Sequence, residues 1–171
     1  MTKILTPWQC ASEISDWMKE QLKKSGTELL YELLDIETGA IKIYPGFLPY
    51  AMERKAKQAL CPAVVVRPVM IRDQETESTL SMAIFVTTYD DDMINGCHGL
   101  YELMETIREI LLTNNPINMR WEIKNGTMES TIPDEQPYPM WWGRIDFDVN
   151  VQQPREVSEF ILGGPKRFGN D

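Results

Sequence analysis

Apolar and polar residues alternate most regularly in two stretches of this chain. From Trp141 to Val151, the residues Ile145, Phe147, Val149 and Val151 take turns with Arg144, Asp146, Asp148 and Asn150, the period of two that describes a half-buried strand. From Thr79 to Tyr89, Leu80, Met82, Ile84 and Val86 fall on one face, while Thr79, Ser81, Thr87 and Tyr89 share the other with Phe85. Upstream, Ala63 to Ile71 is apolar on both faces at Val64, Val65 and Val66, and only the polar loop Arg72 to Ser78 separates it from the second stretch. The two runs predict a β-hairpin. Pro68 has no N–H for a ladder, which predicts an edge position or a bulge.

Helical spacing appears twice. Thr6 followed by Pro7 is an N-cap with proline at the first helical position, and Trp8, Ala11, Ile14, Trp17, Met18 and Leu22 recur every three or four residues until Ser25 and Gly26. Leu100, Leu103, Met104, Ile107 and Leu111 form the stripe of a longer helix, led in by Asp90, Asp91, Asp92, Asn95 and Gly96 and stopped at Asn114, Asn115 and Pro116. Shorter elements fill the gaps. Glu28 to Asp35 reads as a helix or packed connector, Ile41 to Pro49 as an extended piece broken at Pro45 and Gly46, and Tyr50 to Leu60 as a helix opened by Pro49. Met119 to Ile132 carries Asn125 and Gly126 at its centre with Met119, Trp121 and Ile123 on one face, which predicts a second hairpin with a type I′ turn. Pro133 to Pro139 is an extended connector. The assembled expectation is an α+β fold, a mostly antiparallel β-sheet with the first and the long helix on one face. Residues 1–151 form a single domain in this reading, and 152–171 a C-terminal extension, with helical turns at Glu156 to Leu162 and a mobile GGPKRFGND end.

Composition narrows the class of function. A net charge of -9 and a pI near 4.7 argue against a nucleic-acid groove or an anionic membrane surface, since each phosphate contact needs Lys or Arg. The start MTKILTPWQC lacks the apolar core of a signal peptide, and no apolar run approaches the roughly 20 residues that span a bilayer, so a soluble protein made in the cytoplasm is expected. Cys10, Cys61 and Cys97 lack CxxC spacing and are expected as reduced, buried thiols.

Candidate chemistry is sparse. Asp90, Asp92 and Glu102 could serve a metal-dependent hydrolase, but aspartates ahead of a helix are equally its N-terminal charge and cap. His98 is the single histidine, and its neighbour Cys97 points away from it on a helix or turn. GxSxG, Walker, GxGxxG and HExxH patterns are absent, which favours neither catalytic residues nor a cofactor. Tyr138, Trp141 and Trp142 form an aromatic and proline cluster with Pro137 and Pro139. Alternation sends the two indoles to opposite faces, one into the core and the other available to anchor a partner. With Arg72 and Asp73 from the polar hairpin loop, these three are the candidate partner-contact residues. A small binding module is the remaining class.

The order of these elements, together with the stretches CPAVVVRP and YPMWWGRIDFDV, resembles the tail terminator and tail-completion proteins of the head-tail joining region of long-tailed bacteriophages and prophages, over roughly Pro45 to Val151. The resemblance implies a structural protein of the virion, made in the host bacterial cytoplasm. It implies a ring, typically of six subunits, that caps the tail tube protein and meets the head-tail connector protein, with DNA passing only through its lumen. It implies no catalytic residue and no cofactor, and the residues themselves lead to the expectation of no metal and no membrane. The IKIYPGFLP segment and the chain after Gln152 do not map onto that family pattern.

Overall fold

The structure, a computed structural model, describes residues 6–24, 27–50 and 52–154. Five strands, β1 (Lys42–Pro45), β2 (Ala63–Asp73), β3 (Ser78–Tyr89), β4 (Glu129–Thr131) and β5 (Met140–Val151), make one sheet in the order β1-β2-β3-β5-β4. All pairs are antiparallel except β1 with β2, which run parallel from Lys42↔Ala63 to Pro45↔Val66. The fold is therefore α+β with a mostly antiparallel, mixed sheet. Among the described residues four helices accompany it: α1 (Pro7–Gln21), α2 (Glu28–Leu33), α3 (Arg54–Leu60) and α4 (His98–Thr113).

Alternation decides which face is buried. Val64, Val66, Leu80, Met82, Ile84, Val86, Ile145, Phe147 and Val149 join Cys10, Ile14 and Met18 of α1 and Leu100, Leu103, Ile107 and Leu111 of α4 in one core. Both long helices thus lie on the same side of the sheet. The capping box at α1 has both of its bonds, Gln9 N–H to Thr6 Oγ1 at 3.2 Å and Thr6 N–H to Gln9 Oε1 at 3.0 Å. Trp8, expected on the buried stripe, is instead 58% exposed. Its ring lies over Gly46, where a Cβ would come within 3.1 Å of it, and Gly46 at φ +85° ends β1. Pro68 sits at a register shift in β2, and β1 stops opposite Val66, so the predicted bulge and edge coincide there.

Several expectations are corrected. The helix after Pro49 begins at Arg54, with Glu53 in extended geometry at its N-cap, rather than at Tyr50. Parallel pairing explains this, because the chain must travel back beside β1 before β2 can start, and Phe47 to Tyr50 do so without regular structure. Met119 to Ile132 is not a hairpin. Ile123 bridges Val149, and β4 pairs Glu129↔Asp146 through Thr131↔Arg144, so both arms lie along β5 instead of along each other. Gly126 has φ +76° but Asn125 does not have positive φ, so no type I′ turn forms, and the dipeptide tips a loop that bulges from this interrupted edge. Met119, placed with Trp121 and Ile123 by alternation, is 89% exposed because Asn118 and Met119 both take left-handed backbone in the turn from Ile117 to Trp121. Of the thiols, Cys10 is buried while Cys61 and Cys97 are half-buried. The close of the first helix at Ser25 and Gly26, the turns at Glu156 to Leu162 and the GGPKRFGND end lie outside the described residues.

Candidate functional site

Three surfaces carry the residues singled out in the sequence. At one end of the sheet, the proline-aromatic turn meets the close of β3. Tyr138 Oη donates to Asp91 O at 2.5 Å, Trp141 Nε1 donates to Asp90 O at 3.2 Å, and the two rings stand edge to face at 6.3 Å. Arg54 at the start of α3 donates to Tyr89 Oη at 3.2 Å and to Asp91 Oδ1 at 2.9 Å. The bond to Tyr89, with the nearby Asp91 charge, raises the Arg54 guanidinium above its ordinary pKa.

The acidic run is engaged locally. Asp92 Oδ1 accepts from Ile94 N–H at 2.8 Å and Asn95 N–H at 3.0 Å, and Asp90 Oδ1 accepts from Asp92 N–H at 2.8 Å. The Asn95 and then the Ile94 amide hold the Asp92 carboxyl below its ordinary pKa. Glu102 is not brought to these aspartates but faces His98 one turn away on α4, at 3.4 Å. Among the described residues, no three of His, Cys, Asp and Glu are grouped closely enough to hold a metal ion. The aspartates organise the turn ahead of α4, whose own N-cap is Cys97.

The second surface is the sheet face away from α1 and α4, with α3 at its margin through Arg54 and Tyr89. Trp142 lies here, half-buried, with its ring stacked on Phe85 at 6.2 Å. The Arg67 guanidinium stands 3.9 Å from the Phe47 ring centroid and 4.4 Å from that of Phe85, and Arg144 stands 5.3 Å from Phe85. Arg144 also forks onto Asp146. Burial, then the neighbouring Arg144 charge, lowers the Arg67 pKa. The indoles do take opposite faces, but neither is fully in the core and neither stands free, since Trp141 packs on the margin of the helix-covered core. Phe47, Arg67 and Phe85 were not among the candidates. The signal for Phe85 was present, an aromatic alternating with Thr and Ser on an otherwise polar face.

The third surface is the hairpin tip with the adjoining edge of β2. Asp73 accepts from Ser78 Oγ, Arg72 is exposed, and Val69, Met70 and Ile71 are 51%, 46% and 46% exposed. Arg72 and Asp73 pair with Thr79 and Ser78, whereas Trp141 and Trp142 pair with Thr88 and Thr87. Along β3 that is a separation of eight to ten residues, about 30 Å. The five candidates therefore do not form one patch. Tyr138 and Trp141 come together, Trp142 is on the opposite face, and Arg72 and Asp73 are at the far end.

Both outer edges of the sheet are unpaired by any described strand. On one side β2 has no neighbour beyond Val66, and on the other β4 is exposed at all three residues. No helix among the described residues is long and apolar enough to cross a membrane. No protein-family model matches the chain, and no curated protein matches it either. A solved structure 12% identical aligns with 82% of this chain and 97% of its own length at a TM-score of 0.39, a likeness too low to carry an argument.

Proposed function

We propose that this chain is a tail terminator or tail-completion protein of a long-tailed bacteriophage or prophage, a structural, non-enzymatic subunit that closes into a ring on the end of the tail tube and meets the head-tail connector. The observation that carries the reading is the pair of unlike free edges on one sheet, β2 from Arg67 to Asp73 and β4 from Glu129 to Thr131. An edge of one kind on one subunit can accept the other kind from the next. Such head-to-tail contacts between different patches close into a ring when the rotation permits. The aromatic and arginine face offers a second contact surface of the composition that partner interfaces favour. The net charge of -9 suits a lumen through which DNA slides without sticking.

Mixing the purified protein with assembled tail tubes and measuring particle mass and tube length tests the proposal. Binding at the tube end that stops further growth is the expected result. A protein that neither binds the end nor stops growth is not a terminator.

A further inference from the structure

A groove of about 460 Å³ opens where the loop after α2, the end of α3, the end of β3 and the start of α4 meet. Its walls are of two kinds. Leu33, Leu34 and Ile36 give it an apolar part, and Asp35, Asp90 and Asp91 an acidic one, with Asp91 already paired to Arg54. Thr88, on its lining, is only 3% exposed, yet its hydroxyl has no hydrogen-bond partner among the described residues. Buried hydroxyls are almost always paired, so one without a described partner beside a groove is a place for a donor brought from outside. Asp35 stands at the mouth with φ +54°, in the position after a helix where glycine or asparagine is usual, and it is exposed without an ion pair to any described residue.

We infer that this groove receives the basic C-terminal segment Lys166-Arg167-Phe168 of a second copy of the chain. Long cationic side chains suit such walls, with stems along Leu33, Leu34 and Ile36 and heads toward the aspartates. A guanidinium or main-chain N–H then donates to Thr88 Oγ1. Reach argues for a second copy. The described chain leaves the sheet just after Val151, which pairs with Ser78, whereas the groove lies at Thr88, ten residues along β3 or about 33 Å away. Eleven residues lie between Pro154 and Lys166, and the twelve steps span at most about 40 Å, so a subunit's own segment would have to be drawn nearly straight. The inference rests on the self-association proposed above for its source of a neighbour, but not on tail tubes.

The test uses the full chain carrying Lys166→Glu and Arg167→Glu, which removes competition from its own end, and a fluorescent peptide of residues 160–171. Saturable binding is expected, at least tenfold weaker with Asp35→Lys in the protein or with both charges reversed in the peptide. Thr88→Val should weaken peptide binding several-fold without lowering the melting temperature of the free protein, an outcome that a purely structural role for the hydroxyl would not give. Equal binding of the charge-reversed peptide, or indifference to Asp35→Lys, overturns the groove. Sedimentation of the unmodified chain against the Lys166→Glu, Arg167→Glu chain then tests the second copy. Loss of the larger species, regained on adding Asp35→Lys, is expected, and unchanged assembly despite peptide binding overturns the claim that the segment comes from a neighbour. Failure to cap tail tubes leaves all of these readings in place.

Discussion

The side chain of Asn115 stands in for a strand beside Ile123: its Nδ2 donates to Ile123 O at 3.1 Å, and its Oδ1 accepts from Ile123 N–H at 2.9 Å. Ile123 is 3% exposed and bridges β5 at Val149, so this one amide satisfies both backbone groups on its outward side. Asn115→Ala leaves a donor and an acceptor without partners and should cost about 1 to 3 kcal/mol in urea unfolding. A cost indistinguishable from that of an exposed surface alanine would show that water replaces the amide.

Phe147→Asp should unfold the protein, and Asp146→Asn should not. Phe147 is 1% exposed in the core, while Asp146 faces the other side and pairs with Arg144. An unpaired buried carboxylate costs several kcal/mol, a large part of the roughly 5 to 15 a domain has. The half-exposed ion pair is worth at most about 1 kcal/mol. Circular dichroism melts of the two variants check the assignment of faces.

Glycine substitutions should separate by what the new methyl group meets. At Gly96 a Cβ would lie 2.4 Å from the main-chain oxygen of Asp92, which cannot swing aside as a side chain can. At Gly126 it would meet nothing within 4 Å, and only the φ of +76° opposes it. Gly126→Ala should therefore cost about 1 kcal/mol and Gly96→Ala clearly more, measured as shifts in the denaturation midpoint.

Val69→Lys with Ile71→Lys should block assembly while leaving the subunit folded. Both side chains are about half exposed on the free part of β2, and surface changes of this kind move stability by about 0.5 kcal/mol or less. Charged edges resist pairing. Multi-angle light scattering with and without tail tubes reads the outcome, and normal assembly by the double variant would remove the β2 edge from the ring.

Cys10 predicts an alkaline limit to stability. Burial, and then the Glu13 charge, pushes its thiol up to about 12 from an ordinary 9.0. A folded pKa raised above the unfolded one gives a contribution fully present below pH 9 and lost as the pH climbs toward 12. Relative to Cys10→Ala, the unmodified chain should lose stability more steeply over that window. Parallel pH profiles for the two proteins would mean that the thiol stays accessible to water.

Where a segment's partner was itself a strong pattern, the sequence could be read through to the fold. β3 and β5 each show a clean period of two, and pairing along their whole lengths, from Ser78↔Val151 to Tyr89↔Met140, is what two such strands with one buried face require. The stripe of α4 and the cap of α1 are likewise local signals with local causes. Asn125-Gly126 misled because the dipeptide speaks only of its own backbone, while the stronger competitor for both flanking arms was β5. The parallel pairing of β1 was invisible for the same reason, since four residues carry no direction. Trp141 and Trp142 could be sent to opposite faces but not weighed, because their burial depends on Phe85, Asp90 and Tyr138, which come from other parts of the chain. The groove around Thr88 draws on four elements and left no mark in any one of them.

Helix α3 contributes no buried residue, and what binds it to the body is polar: Arg54 to Tyr89 and Asp91, and the Lys42 ammonium on Ala59 O. Stability in a protein is distributed according to what each part would expose on opening. Releasing Phe47 to Leu60 uncovers little of the core, whereas β1 at its near end is held by α1 and by Val64 and Val66. Among the described elements α3 is therefore the first to open: its amides exchange with solvent ahead of those of the sheet and the long helices, a protease cuts there before anywhere in β2 or β3, and the nicked protein keeps its sheet.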